Sequence, residues 1–271
     1  RSKISESDGE SVGVNEFINP RIKGESFRYD GGGRAACYLI HGFTGSTYEM
    51  NELGKYMASQ GITAVADTLP GHGTSPEDCN TKVYQDWIDS VQKGFDRLSA
   101  EKEEVFVVGF SLGGALTLKL AMERDIPGIV LYAPIIKHKK WTVYLTPFVA
   151  PFKEFEEKKK FYRKENKLQT FYGYSVYPMK AAAEVVKLTL LVRMKLGQVT
   201  CPTLIMHSKA DITVPYENGQ YVYDWIKSED KQLISYDNSP HALMAGCDKE
   251  TVWKETAKFI ISYSGAKLSE V

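Results

Sequence analysis

Gly109-Phe110-Ser111-Leu112-Gly113 places a serine between two glycines, each two residues away. An apolar, β-branched run precedes it, Val105-Phe106-Val107-Val108, and a helix-forming run, Ala115 to Leu120, comes after it. A serine at that junction sits on a sharp strand-to-helix turn. The glycines are needed because a side chain at either position would collide with neighbouring backbone. The turn lifts the Ser111 hydroxyl out of the sheet edge at the amino end of a helix, where free N–H groups and the dipole favour developing negative charge. Serine is a weak nucleophile until a base takes its proton. Histidine suits that task because its ordinary pKa is about 6.5. A carboxylate bonded to the imidazole fixes its tautomer and stabilises the cation formed during attack. The candidates are Asp211, in His207-Ser208-Lys209-Ala210-Asp211 after the apolar run Thr203 to Met206, and His241, in Ser239-Pro240-His241 after a run at Gln232 to Tyr236.

Elements that could position these groups alternate along the chain. The turn signal Asp30-Gly31-Gly32-Gly33 opens the series, and Cys37 to Ile40 reads as a buried strand running into His41-Gly42-Phe43-Thr44-Gly45. Thr47 to Gln60 predicts a helix stopped at Gly61, and Ile62 to Ala66 a strand. Val83, Trp87, Val91, Phe95 and Leu98 form a helical stripe within residues 82–100. Further strands are predicted at 105–108, 128–132, 203–206 and 232–236, with helices after Ser111, at about 216–227 and at about 249–262. Such repetition predicts an α/β fold, a mostly parallel sheet with helices on both faces. Ligands in such sheets bind at the strands' carboxyl ends, where Ser111, Asp211 and His241 would all lie. Residues 1–24 read as a polar arm, 25–134 and 199–271 as the core, and 135–198 as a cap inserted after a strand end. The cap is rich in large side chains, Trp141, Tyr144, Phe148, Phe152, Phe155, Tyr174 and Tyr177 among them, with Phe161, Tyr162, Phe171 and Tyr172 between. They would either line an apolar slot over the serine or pack the cap itself. Within the charged stretch 153–167, Glu154–Lys158 and Glu156–Lys160 stand at i,i+4 spacing and predict a solvated helix face.

Serine, then an acid after one strand, then a histidine after the next, is the chain order of the α/β-hydrolase triad. Together with His41-Gly42-Phe43-Thr44-Gly45 and Leu69-Pro70-Gly71-His72-Gly73, these pieces resemble the α/β-hydrolase family over roughly residues 26–262, and within it the small bacterial carboxylesterases and monoacylglycerol lipases. The resemblance implies a cofactor-independent serine esterase with Ser111 as nucleophile, His241 as base and Asp211 as third member. Its oxyanion donors would be the backbone N–H groups of Leu112 and Phe43. The Phe43 ring would wall the acyl pocket or pack plainly. The His-Gly-Phe loop differs from the His-Gly-Gly-Gly loop of some lipases, and by resemblance points to simple esters and monoglycerides. His207 is the competing base, but it precedes the acid. His41 would brace its loop, His72 a turn, and His138 would be exposed. Asp67 would shape the turn into Pro70-Gly71, and Asp237 lies too near His241 in sequence to come from a separate strand end. Thioesterases, acyltransferases, peptidases and feruloyl esterases share this machinery, so fold alone does not separate them. A binding module that kept the fold but lost the chemistry is the reading from another class. Epoxide hydrolases and dehalogenases carry a carboxylate where this chain has Ser111.

The whole composition narrows the partners. Lys plus Arg and Asp plus Glu are 34 each in 271 residues, which argues against nucleic acid or an anionic membrane as partner and leaves a small-molecule ester. No apolar run is long enough to span a bilayer, and the given residues are not expected to include a signal peptide. The first residue is arginine rather than methionine, which leads to the expectation that a segment was removed, an export or anchor segment being one option. Cys37, Cys79, Cys201 and Cys247 lack metal-ligand spacing, and no metal site is expected; a disulfide is left open.

Overall fold

The computed structural model describes residues 24–158 and 173–265. Nine strands are formed among them: β1 (Phe27–Tyr29), β2 (Ala35–Ile40), β3 (Thr63–Ala66), β4 (Glu104–Phe110), β5 (Ile129–Tyr132), β6 (Phe155–Glu157), β7 (Val176–Pro178), β8 (Thr203–Ser208) and β9 (Lys231–Tyr236). Seven of these make one sheet in the order β1-β3-β2-β4-β5-β8-β9. Every pairing in it is parallel except β1 with β3. Central strands buried on both faces read as continuous apolar runs, and β2 and β4 do so: β2 is buried throughout and β4 from Val105 onward. One apolar cluster, including Tyr38, Trp87, Val107 and Leu131, fills one side of the sheet. A second, including Leu39, Met50, Phe106, Val130 and Ile260, fills the other. The core is thus helix–sheet–helix.

The predicted helices are found at Tyr48–Ser59, Tyr84–Ser99, Leu112–Ala121, Glu217–Trp225 and Lys249–Tyr263. The stripe at Trp87, Val91, Phe95 and Leu98 is buried, as its spacing requires. Strand β1 leaves no clear signal in the sequence because it is three residues long and pairs antiparallel at the sheet edge. The arm expected over residues 1–24 falls outside the described residues except for Gly24, whose carbonyl accepts the Thr68 hydroxyl at 2.5 Å.

The charged stretch after residue 153 departs from its expected helix. Residues 155–157 are extended, paired antiparallel with Val176–Pro178. Lys158 is buried rather than solvated. The i,i+4 charge spacing is satisfied on paper, but strand pairing supplies backbone partners that a one-turn exposed helix would lack. Lys160 lies outside the described residues. The aromatics of residues 141–177 fare differently, Tyr144, Phe155 and Tyr177 being half-buried. Trp141, Phe148 and Phe152 face solvent, Phe152 being 91 % exposed. Tyr174 is buried, its hydroxyl donating to the Gly71 carbonyl at 2.8 Å. Phe161, Tyr162, Phe171 and Tyr172 lie outside the described residues. Helix Met179–Met194 packs across the helix that begins after Ser111.

Candidate active site

Ser111 joins β4 directly to helix Leu112–Ala121. Its backbone is at φ 55° and ψ −111°, a conformation that costs an L-residue about 1–3 kcal/mol and is kept only where the surroundings enforce it. Three contacts enforce it. Ser111 N–H donates to the Tyr132 carbonyl at 2.9 Å, its carbonyl accepts from Ile135 N–H at 3.2 Å, and Gly114 N–H donates to the same carbonyl at 3.0 Å. The two glycines are sterically required. A Cβ on Gly109 would lie 2.2 Å from Thr117 Oγ1, and one on Gly113 2.1 Å from the Ile40 carbonyl oxygen. Leu112 opens the helix, so its N–H has no intrahelical acceptor.

Asp211 lies just beyond β8, and its carboxylate is enclosed by donors. Oδ1 accepts Thr213 N–H at 2.8 Å and Val214 N–H at 2.9 Å. Oδ2 lies 2.6 Å from His241 Nδ1 and 3.3 Å from His207 Nε2. Burial alone would push this carboxyl up, but the His241 charge, hydrogen bonds from both histidines and the Val214 N–H outweigh it and hold it far below the usual carboxylate range. These donors favour its ionised form. His241 keeps a partly exposed ring beside the residue preceding the serine, with the Phe110 and His241 ring centroids 4.8 Å apart. The Ser111 hydroxyl makes no hydrogen bond among the described residues. Catalytic hydrogen bonds are often long before substrate binds.

His207 stands behind the acid. Its side chain is fully buried and its Nε2 also approaches the Val214 carbonyl at 3.1 Å. It touches Asp211 from the protein side, whereas His241 touches it from the solvent side. His41 braces its loop: Nδ1 pairs with the Gly42 carbonyl at 2.9 Å and Nε2 accepts Leu69 N–H at 3.1 Å. His138 is half-buried against Tyr144 and pairs with Thr189 Oγ1 at 3.1 Å, so the exposed position expected from its lysine-rich surroundings is not what forms. Asp67 does not shape a turn. Its carboxylate accepts Arg97 at 2.7 Å and the Tyr38 hydroxyl at 3.0 Å, tying the end of β3 to helix Tyr84–Ser99. Asp237 pairs with Lys209 at an exposed position.

Phe43 comes after Gly42 in the loop leaving β2. Its ring packs edge-on against His72 and Trp87, with centroids 5.9 and 6.1 Å away. Thr44 beside it has φ 61°. Two groups at this loop are not found by sequence reasoning. Glu49 is buried against Gly45, and Lys158 donates to Thr44 Oγ1 at 2.5 Å. Glu49 is detectable in principle, because it falls on the same helical stripe as Met50, Leu53 and Met57, where a carboxylate is out of place. Lys158 carries no signal, being one lysine in a charged run.

Buried histidines make the fold acid-sensitive. Burial pulls His41 and His138 down to about 4 and His72 to about 3, from an ordinary 6.5. Their stabilising contribution is full above pH 6.5 and is lost as pH falls through that value, because the unfolded chain takes up protons that the fold refuses. Glu49 acts oppositely: burial raises it to about 8, so its contribution is full below 4.5 and falls as pH rises. The net uptake on unfolding is about two protons near pH 5, or about 3 kcal/mol of stability lost per pH unit. Denaturant midpoints measured from pH 7 to 4.5 should fall steeply below 6.5; a flat series would contradict these burials.

A single α/β-hydrolase core with serine, acid and histidine at the carboxyl edge of one sheet defines the class. The chain belongs to the hydrolase family described as serine aminopeptidase, S33, whose model matches residues 32–248. It is similar to the thermostable monoacylglycerol lipase of Bacillus sp. (strain H-257), 28 % identical over 257 residues, covering 91 % of this chain and 98 % of that protein. It is also similar to a carboxylesterase of Bacillus subtilis (strain 168), 29 % identical, covering 84 % and 93 %. Among solved structures, that described for LipS and LipT, two metagenome-derived lipolytic enzymes, matches with a TM-score of 0.82 at 27 % identity, covering 88 % and 98 %. A soluble variant of monoglyceride lipase from Saccharomyces cerevisiae shares the fold, with a TM-score of 0.74 at 18 % identity, covering 98 % and 97 %.

Proposed function

We propose that this α/β-hydrolase is a carboxylic-ester hydrolase that works through an acyl-enzyme on Ser111. His241 takes the serine proton as the hydroxyl attacks the ester carbonyl, then gives it to the departing alcohol. It next activates the water that releases the acid. Asp211, already bonded to Nδ1, keeps the other ring nitrogen free to accept and stabilises the imidazolium. The N–H groups of Phe43 and Leu112 receive the oxyanion. The observation that carries this reading is the 2.6 Å bond from His241 Nδ1 to the enclosed Asp211 carboxylate at the sheet edge that also bears the strained Ser111.

Short- to medium-chain esters and monoacylglycerols are the substrates that the Phe43 loop and the named relatives favour. Trp141, Phe148 and Phe152 on the outer cap surface give an apolar approach for such molecules. No helix among the described residues is long and apolar enough to cross a membrane. The family's name keeps peptide hydrolysis as the second reading. Initial rates on p-nitrophenyl esters of graded chain length, a monoacylglycerol, a feruloyl ester, an acyl thioester and an aminoacyl anilide separate the options. The ester and monoacylglycerol are expected to exceed the anilide in kcat/KM by at least about 10³-fold, since amide bonds lack the good leaving group. Preference for the anilide would overturn the ester reading.

A further inference from the structure

The loop that carries Phe43 is built around two buried ionisable groups that the triad does not use. Glu49 lies in the first turn of helix Tyr48–Ser59 yet is only 7 % exposed. Its carboxyl group is packed on Gly45, where a Cβ would come within 2.3 Å of Oε2, and that oxygen has no hydrogen-bond partner among the described residues. Lys158 enters from the cap side, directly after β6, and is 3 % exposed. Its Nζ donates to Thr44 Oγ1 at 2.5 Å and lies 4.9 Å from the centre of the Tyr177 ring. A second bond fixes the same residue, because Tyr174 N–H donates to the Thr44 carbonyl at 3.0 Å. Lys158 and Tyr174 are themselves joined through the segment leading into β7, where Lys158 N–H donates to the Ser175 carbonyl at 3.3 Å.

Thr44 is thus held at both its side chain and its carbonyl by the cap, in a left-handed conformation (φ 61°) that a β-branched residue does not adopt unaided. It is also the residue immediately after Phe43, so holding it anchors the loop segment that carries the Phe43 N–H. We propose that Lys158 is a positioning residue for the oxyanion hole: it clamps Thr44 to the cap and thereby steadies the loop that carries the Phe43 N–H. The inference rests on the acyl-enzyme reading above and adds a control element to it, since the clamp ties the alignment of one oxyanion donor to the seating of the cap.

Ionisable groups in a dry interior are costly in their charged forms. Burial pulls Lys158 down to about 7, opposed chiefly by the Glu49 charge, and pushes Glu49 up to about 8, opposed by Gly42, Lys158 and Ser46. Apolar residues would serve stability alone at least as well. A site selected for alignment has reason to keep both groups, because oxyanion donors act only when held within about half an ångström of their productive positions.

The test uses Lys158→Met and the double variant Lys158→Met/Glu49→Gln. The single variant strands a buried carboxyl and can fail to fold; the double variant removes both ionisable groups and keeps the volume. Each is assayed on a soluble p-nitrophenyl ester for kcat and KM, and for the rate at which a fluorophosphonate labels Ser111. Clamping predicts that the folded double variant has kcat and labelling rate lowered about 10- to 100-fold, with KM within about threefold of the parent. A melting temperature at or above the parent's, together with low kcat, would set positioning apart from a stabilising role. A double variant with the parent's kcat and labelling rate overturns the proposal. Labelling of the parent at Ser111 guards the underlying reading: if the parent fails to label there, the acyl-enzyme account falls first and takes the clamp with it, whereas normal labelling of parent and variants alike removes the clamp alone.

Discussion

Replacing Ser111 with alanine is expected to lower kcat/KM for a soluble ester by about 10⁶-fold while leaving the protein folded. The size comes from a triad acting as one unit, in which loss of the nucleophile costs as much as loss of all three members. Folding should be nearly untouched for a local reason. The hydroxyl makes no hydrogen bond among the described residues, and the backbone contacts to Tyr132, Ile135 and Gly114 do not involve it. Alanine inherits the same φ of 55° and the same strain, so the stability change should be within about 1 kcal/mol. Steady-state hydrolysis alongside a thermal melt checks both halves. Retention of more than a per cent of the parent's activity in purified, folded protein would place the nucleophile elsewhere.

Asp211→Asn should lower kcat by about 10⁴-fold and, unlike the serine change, also cost stability. The carboxylate offers two oxygens to two different sets of donors. One set is the backbone pair at Thr213 and Val214; the other is His241 with His207. An asparagine side chain has one oxygen and one NH₂ group. If the oxygen serves the backbone pair, the NH₂ faces His241 Nδ1, which must then accept. The imidazole proton moves to Nε2, and the ring can no longer take a proton from serine. If the amide turns round, its NH₂ meets two backbone N–H groups at hydrogen-bond distance, an arrangement that leaves buried donors unsatisfied at about 1–3 kcal/mol. The first orientation is therefore the stable one, and it is the inactive one. Chemical denaturation combined with kcat measurement separates the two costs. Wild-type kcat with lowered stability would mean that Asp211 serves the fold and not the base.

The sheet and the candidate triad are legible in the sequence for different reasons. Strands β2, β4, β5 and β8 are buried on both faces and leave unbroken apolar runs. The helix containing Trp87 leaves a periodic stripe. Ser111 announces itself because only glycine fits at 109 and 113, and that steric demand is visible as sequence. Asp211 and His241 are found by chain order and by their places just past strand ends, not by any property of their own. The features that stay hidden depend on tertiary contact. His207 reads locally as a rival base and is instead the acid's buried neighbour. The Arg97 partner of Asp67 comes from a different element, and a turn is the only local reading available. Lys158 misleads because i,i+4 spacing describes a helix that does not form there. It is buried against Thr44, more than a hundred residues away in sequence.

The most direct measurement of the central claim is the site and rate of fluorophosphonate modification in the parent and in His241→Ala, mapped by peptide mass spectrometry. Activation of Ser111 by His241 predicts one adduct per chain on the peptide containing Ser111, formed at least about 10³-fold more slowly once the imidazole is gone. Modification at another residue, or at Ser111 with a rate indifferent to His241, would contradict the account.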